Sequence, residues 1–575
     1  MTTLHFDPLT QRYPSQRFPL YAGRAMVNCS MPQASAAGLR AIMRGGNAFD
    51  AAVAAAAALT VVEPTSNGIG SDAFMIAWSA RERRLVGLNS SGPAPRGISI
   101  ERVIADGNAS RDGNASRDGN ASRDGNASRD GNARMPLLGW TPVTVPGAPA
   151  AWAAINERYG RLTLSEDLAP AVDYARNGYP CAPNLSYYWA RSADTYRKVN
   201  ADGRFDEWFR TFARRGGDGN GGDSASAATP RPGDVVTLPD HADTLEAIGE
   251  TNARAFYEGD LARAIDAASR AAGGYLRYDD LAAYQPRWVE PMRLDYRGYE
   301  VCEIPPNGQG IVALMALNIL RNFDFPAKDC AETYHRQIEA IKIAFADALD
   351  TVTDPDDADF DYARYLTPEY GKERSRLIGD AAEVRTTRTP SDSGTVYLCC
   401  ADGEGNMVSY IQSNYMGFGS GIVVPGTGIA LQNRGADFSL DPRRANALKP
   451  GKRTYHTIIP GFLMKDGRPV GPFGVMGGYM QPQGHVQVAM NAIDFHLDPQ
   501  QALDAPRWKW NRGNDVHVET RFDAALAREL VRMGHKVSVG LDAAEFGRGQ
   551  MIVRLDNGML VGGTESRTDG NIALM

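Results

Sequence analysis

Thr395 follows Gly394 and opens a stretch, Val396 to Ala401, whose composition reads as a strand. A threonine in that setting has two chemical uses. Its hydroxyl can attack the Gly394 carbonyl and move the peptide bond onto oxygen as an ester, which water then cleaves. The glycine leaves the backbone room to bend into that geometry. The freed Thr395 then holds a nucleophile and a base in one residue. An α-amine has an ordinary pKa of about 7.7–8.0, so a useful fraction is neutral near pH 7. That amine takes the hydroxyl proton and later returns it to the leaving amine, with an acyl-enzyme in between. The oxyanion formed on the way needs hydrogen-bond donors. Gly477-Gly478, within FGVMGGYMQPQGH, offers two successive backbone N–H groups with no Cβ to block approach. Losing one such donor costs about 3–4 kcal/mol in the barrier. Either feature alone is commonplace, so the weight rests on what surrounds them.

Regular elements have to present these groups. Val396 to Ala401 and Met407 to Ser413 read as strands joined by the turn Asp402-Gly403-Glu404-Gly405-Asn406. Thr457 to Met464 and Pro469 to Val475 read as a second strand pair, and Gln483 to Phe495 as a helix after the Gly-Gly turn. Arg385 to Ser393 (RTTRTPSDS) is polar and expected to be loose. Upstream, Gln33 to Met43 reads as a helix stopped by Gly45-Gly46. Asp50 to Val62 is alanine-rich with almost no polar face, so it is expected to be buried on most sides. Ala73 to Ser79 reads as a strand. Further helices are expected over Trp152–Tyr159, Leu164–Asn177, His241–Tyr257, Asp260–Ala272, Gly310–Asn322 and Thr333–Leu349. Helices around a strand-rich core point to an α/β (α+β) layered fold.

Two tracts cannot join that core. DGNASR occurs four times in tandem from Asp106 to Arg129 and DGNA follows, so residues 106–133 hold no apolar side chain larger than Ala. A period of six is too short for a helical solenoid, and a surface loop is expected. Residues 215–233 (RGGDGNGGDSASAATPRPG) form a second tract of this kind. The remainder is rich enough for a large core, with 43% hydrophobic residues over the 575. A balance of 61 basic against 68 acidic residues leaves no basic footprint and argues against a nucleic-acid partner. No run of 18 apolar residues occurs, so no membrane partner is expected. The N-terminal segment MTTLHFDPLTQRYPSQRFPLYAG lacks a signal-peptide apolar stretch, which makes the cytoplasm the expected location. The six cysteines are scattered and expected to be reduced, with Cys399 and Cys400 facing opposite sides of their strand. The eight histidines show no HExxH spacing and the cysteines no CxxC, so neither metal nor cofactor is expected.

RGGNAFDAAVAAAAALTVVEPTSNGIGSDAFM (Arg44 to Met75), TVPGAPAAW, DLAAYQPRWVEP and PPNGQG closely resemble signature segments of the γ-glutamyltransferases, the glutathione hydrolase family. GTVYLCCADGEGNMVSYIQSNYMGFGSGIVVPGTGIALQNRGADFSL (Gly394 to Leu440) resembles that family's nucleophile region, and the likeness runs almost end to end. The resemblance implies a four-layer αββα sandwich of N-terminal-nucleophile hydrolase type, made as one chain and cut between Gly394 and Thr395. The products would be a large subunit, 1–394, carrying the inserts 106–133 and 215–233, and a small subunit, 395–575, held together as a heterodimer. A dimer of these is left open. By the same resemblance Thr395 is the nucleophile, Gly477 and Gly478 the oxyanion glycines, and Ser413 an assisting hydroxyl. Asp437 falls on the acid that holds a γ-glutamyl α-amino group.

Departures from the family pattern fall in its carboxylate site. The arginine that grips the α-carboxylate in members acting on glutathione is replaced, in LNSSGPAP, at about Ser91. The family's paired serines correspond to His456-Thr457 in RTYHTIIPG, and its asparagine to Tyr415, with Asn414 adjacent. The connection from Phe438 to Arg453 is short, so the flap over the pocket is expected to be missing. This pattern resembles the cytoplasmic γ-glutamyltransferase-like branch of oxamate amidohydrolases and cephalosporin acylases. Arg434 and His456 are candidates for a replacement clamp, since an arginine holds a carboxylate by two hydrogen bonds. Arg434 has the equal alternative of an ion pair with Asp437, and His456 that of a satisfied core histidine. The expected function is a self-processing amidohydrolase that forms an acyl-enzyme on Thr395 and hydrolyses a small carboxylate-bearing amide such as oxamate. The alternatives are a γ-glutamyltransferase or glutathione hydrolase, and a non-catalytic relic that only binds. Thr395, Ser413 and the glycine pair together argue against the last.

Overall fold

The structure, a computed structural model, describes residues 17–110, 133–213, 228–357, 361–385 and 394–575. The repeat from Arg111 onward, most of the second tract and the segment 386–393 lie outside the described residues.

The hairpin Gly394–Asp402 and Met407–Tyr415 forms around the expected turn. Val396, Leu398 and Cys400 face one side and Tyr397, Cys399 and Ala401 the other, because successive strand residues alternate. Both faces are apolar, so the hairpin is buried on both. It lies in the middle of a seven-stranded sheet ordered Asn571–Leu574, Ala25–Cys29, Gly394–Asp402, Met407–Tyr415, Asp72–Ser79, Arg84–Ser90, Arg287–Val289. A second seven-stranded sheet runs Leu20–Ala22, Leu560–Thr564, Arg548–Arg554, Arg468–Met476, Gly461–Lys465, Tyr299–Glu303, Met292–Tyr296. The two face each other across Phe74, Ile76, Tyr397, Cys399, Ile411, Phe462 and Ile552. All pairings within both sheets are antiparallel.

Helices cover both outer faces, which completes the four-layer αββα sandwich. On the hairpin's sheet the main cover is Ala48–Val62, all of it buried. Asn47 caps this helix, which begins at Ala48, two residues before the expected Asp50: its Oδ1 accepts from Phe49 N–H at 2.8 Å, and Asp50 Oδ2 accepts from Asn47 N–H at 2.7 Å. Its alanines allow close approach of the neighbouring helix Pro32–Met43. A Cβ added to Gly38 would stand 2.9 Å from the Ala51 carbonyl oxygen. The opposite face carries Gly310–Leu320, Ala331–Leu349 and Met480–Ile493. The single helix expected over His241–Tyr257 is two, Pro239–Glu250 and Arg254–Tyr257, because Asn252 and Ala253 turn left-handed (φ 50° and 63°). The strand expected from Thr457 begins only at Gly461.

The residues on either side of Gly394 do not form separate domains. Those after it supply the middle of the second sheet, and the hairpin together with one edge strand of the first. Residues before it supply both edges of the second sheet, and in the first sheet Ala25–Cys29 and the three strands on the far side of the hairpin. All six cysteines are free thiols. No helix of the described residues is long and apolar enough to cross a membrane.

Candidate active site

Thr395 sits at an irregularity. Gly394 pairs with Tyr415 and Val396 with Gln412, and the register shifts between them. A bulge of this kind re-aims a side chain. Here the Thr395 hydroxyl donates to Ser413 Oγ at 3.1 Å, and Ser413 Oγ donates to the Gly394 carbonyl oxygen at 2.8 Å. The hydroxyl is therefore tied, through one serine, to the carbonyl of its own preceding peptide bond. Tyr415 N–H also donates to Ser413 Oγ at 2.8 Å, with Tyr415 left-handed at φ 74°. That is a conformation a bulky residue adopts at a cost of about 1–3 kcal/mol, and such cost collects at functional sites. Gly394 has no space for a side chain: a Cβ would stand 3.0 Å from Gly417 N and 3.2 Å from Thr65 O.

Arg434, fully buried in the short helical turn Arg434–Asp437, organises the far side of Ser413. Its Nη1 donates to Thr457 Oγ1 at 2.6 Å and its Nη2 to Ser413 Oγ at 3.4 Å. Nη1 also lies 3.6 Å from Asp437 Oδ2, and the guanidinium stands 4.4 Å from the centre of the Tyr415 ring. Asp437 Oδ1 accepts from Tyr415 OH at 2.8 Å and from Tyr479 OH at 3.5 Å. Arg434 is thus engaged with the protein on several sides. The ion pair with Asp437 is present, while Nε is buried without a hydrogen-bond partner among the described residues.

Asp72, opposite Ser413 in the next strand, is fully buried. Burial raises its pKa from the ordinary 3.8 to about 7, against the pull of Arg434, the Gly92 N–H and Arg453. His456 Nε2 lies 3.0 Å from Asp72 Oδ2, and its Nδ1 accepts from Ile458 N–H at 3.3 Å. With Nδ1 accepting, Nε2–H is the donor. Burial, and then Arg434, press the His456 pKa well below the usual imidazole value, so the ring is neutral. His456 is a satisfied core histidine and brings no charge to a clamp. The Asp72 shift has a consequence for stability. Between pH 3.8 and about 7 the folded state holds a proton that the unfolded state has released, so stability falls as pH rises through that window and then levels. Asp72→Asn is expected to remove this slope, and its melting temperature should gain on wild type from pH 4 to pH 7. Parallel melting curves across that range would contradict the shift.

Gly477 (φ 134°) and Gly478 (φ 59°) both occupy backbone regions that side chains disfavour, immediately ahead of the helix Met480–Ile493. Among the described residues their N–H groups donate to no protein acceptor, and they stand at the positive end of that helix. Gln309 Nε2 donates to the carbonyls of Gly478, at 2.8 Å, and Thr457, at 2.5 Å. The glycine turn is thereby joined through Thr457 and Arg434 to Ser413.

The family model for gamma-glutamyltranspeptidase matches residues 34–575. The chain belongs to the gamma-glutamyltranspeptidase family. It is an enzyme of the N-terminal-nucleophile hydrolase type. The glutathione hydrolase-like YwrD proenzyme of Bacillus subtilis (strain 168) is 37% identical, the alignment covering 93% of this chain and 96% of that protein. The oxamate amidohydrolase proenzyme of Klebsiella pneumoniae is 32% identical over 94% of this chain and 96% of that protein. The crystal structure of a cephalosporin acylase from Bacillus halodurans superimposes with a TM-score of 0.89 at 52% identity, covering 99% of each chain.

Within this gamma-glutamyltranspeptidase fold, Thr395, Ser413, Tyr415, Arg434, Asp437 and Thr457 form one connected cluster, with Gly478 reached through Gln309. Ser91 stands apart, buried, its Oγ donating to Asn89 Oδ1 at 2.7 Å. The open pocket expected from the short Phe438–Arg453 connection is not present in this uncut chain, where Thr395 and Ser413 are fully buried. Phe438 and Leu448 pack on Ala94, Ile98 and Tyr275, and Asn446 Nδ2 donates to the Asp437 carbonyl at 2.8 Å, so the short connection is itself folded over the site. Asp72, Gln309, Tyr479 and Arg453 were not singled out from sequence. Gln309 lies in PPNGQG and Asp72 in SNGIGSD, both within segments that carry the family resemblance. Among the described residues His335, Glu339 and His535 bring ligand atoms within reach of one ion. Hydrogen bonds already account for them: His335 Nε2–H donates to the Gly379 carbonyl at 2.9 Å, its Nδ1 accepts from His535 Nε2 at 2.9 Å, and Lys342 Nζ holds Glu339 at 2.6 Å.

Proposed function

We propose that this chain is a self-cleaving proenzyme whose Thr395 hydrolyses small acyl amides bearing a carboxylate. The observation that carries the reading is the run from Thr395 Oγ1 through Ser413 Oγ to the Gly394 carbonyl, at 3.1 and 2.8 Å. In processing, Thr395 Oγ1 bonds to the Gly394 carbonyl carbon, its proton passes to the Thr395 nitrogen as the C–N bond breaks, and an ester links the two residues. Water then adds to that ester, leaving a Gly394 carboxylate and a free Thr395 α-amine. In turnover, the amine takes the hydroxyl proton as Oγ1 attacks the substrate carbonyl. The Gly477 and Gly478 N–H groups receive the oxyanion, the leaving amine departs with the proton, and water releases the acid from the acyl-enzyme.

A γ-glutamyl substrate is the second reading. It rests on Asp437, whose carboxylate is held by Tyr415 and Tyr479 and paired with Arg434. A side chain so occupied is a poor anchor for an ammonium, which favours the first reading. Denaturing electrophoresis tests the processing step: fragments of 394 and 181 residues are expected, and they should co-elute without denaturant because both sheets contain strands from each. Initial rates on oxamate, a glutaryl anilide and a γ-glutamyl anilide then decide the acyl group. A γ-glutamyl compound far ahead of the others would overturn the substrate assignment.

A further inference from the structure

Arg453 is buried to all but 7% of its surface, and the Asp354 and Asp356 charges nearby only partly offset the cost of that burial. Its Nε donates to the Ser91 carbonyl at 3.0 Å, and its own N–H is held by Asp354 Oδ2 at 2.8 Å. Its two Nη groups have no hydrogen-bond or ion-pair partner among the described residues. The neighbouring Lys452 shows the contrast: its ammonium is spent on Asp357, at 2.7 Å, and on the Ala445 carbonyl, at 2.6 Å. Burial, followed by the nearby Arg287 charge, presses against the charged form of Arg453. A buried guanidinium in that condition is stabilised by an anion.

The position of Arg453 relative to Thr395 can be followed bond by bond. Ser413, bonded to Thr395, meets Arg434, whose Nε lies 4.0 Å from Asp72 Oδ2. Asp72 Oδ1 accepts from Gly92 N–H at 3.3 Å, and the preceding residue, Ser91, accepts from Arg453. Asp72 itself feels the Arg453 charge. Arg453 is thus linked to the Thr395 cluster through Ser91, Gly92 and Asp72.

We propose that Arg453 is the anchor for the substrate carboxylate, the Nη pair gripping both oxygens while Nε stays on Ser91. This deepens the reading of Thr395 as the nucleophile of a carboxylate-bearing amide hydrolase and rests on it. A planar two-donor fork suits a carboxylate, and the grip would be worth much here because the site is shielded from water.

The test uses the processed enzyme with Arg453→Met and Arg453→Lys, both of which keep the aliphatic stem. The substrates are glutaryl 4-nitroanilide and its methyl ester, which lacks the charge. In wild type the acid is expected to lead the ester by about 100-fold in kcat/KM, carried by KM. Arg453→Met should bring the acid down to the ester while leaving the ester unchanged, and Arg453→Lys should recover part of the difference. Calorimetric titration with glutarate against dimethyl glutarate reads the same preference without turnover. If no anilide is hydrolysed, the Thr395 reading fails, and the glutarate titration still decides Arg453. Equal treatment of acid and ester by wild type, or a preference that survives in either folded variant, overturns the proposal.

Discussion

Thr395→Ala is expected to yield a single uncut chain of 575 residues with turnover lowered by about 10⁵-fold or more, the scale seen when a catalytic nucleophile is removed. The expectation follows from the double use of one hydroxyl. Without Oγ1 no ester forms at Gly394, so the α-amine is never released, and no acyl-enzyme can form afterwards. The variant should still fold. It loses one hydrogen bond at 3.1 Å, while Ser413 keeps its own bond to Gly394 at 2.8 Å. A melting temperature close to wild type separates lost chemistry from lost structure. Thr395→Ser retains the hydroxyl but not the methyl group that stiffens the side chain, so it should be cut more slowly and keep part of the activity. Electrophoresis, melting curves and anilide rates check all three statements, and fragments appearing in Thr395→Ala would refute the assignment.

Arg434→Ala is expected to cost about 3–5 kcal/mol of stability, the usual result of leaving buried charges without their partner. Whole domains have only about 5–15 kcal/mol to lose. Arg434 stands among Asp437, Asp72, Ser413 and Thr457, all buried, at 3.6, 4.0, 3.4 and 2.6 Å. Its removal leaves the Asp437 carboxylate without its cation and frees Ser413 to turn away from Thr395. Processing should therefore fail together with stability. Urea denaturation and electrophoresis at low temperature read the two effects. Were Arg434 a substrate clamp instead, the variant would fold, be cut normally and show its defect in KM alone. Opposite outcomes are expected for Arg453, whose Nη donors are free and whose loss should spare processing.

The candidate reaction centre was proposed from short local patterns together with the family resemblance around them. Glycine before threonine, a strand after it and a Gly-Gly pair ahead of a helix are each patterns a few residues long. The hairpin followed from two strand-like runs around the turn Asp402–Asn406, and strand geometry placed Cys399 and Cys400 on opposite faces. The helix expected over Leu164–Asn177 forms over those residues, with Thr163 and Glu166 capping its start. Edges set by backbone angles were not legible: the left-handed Asn252 and Ala253 break a helix expected to run through them.

The binding side was decided by tertiary structure alone. Arg434, His456 and Arg453 are three cations by composition, and nothing within a few residues of each tells which keeps a usable charge. Contacts across the fold do. Asp72, 384 positions away, fixes the His456 ring, and burial keeps it neutral. Ser413, Thr457 and Asp437 occupy Arg434. Arg453 Nε meets the Ser91 carbonyl, 362 positions away, while its Nη groups make no hydrogen bond to the described residues. Sequence by itself named the candidate bond-breaking residues, of which Thr395 and Ser413 meet within one hairpin. Which charge is left to meet a substrate depends on desolvation and pairing between distant segments, and only the folded chain brings those together.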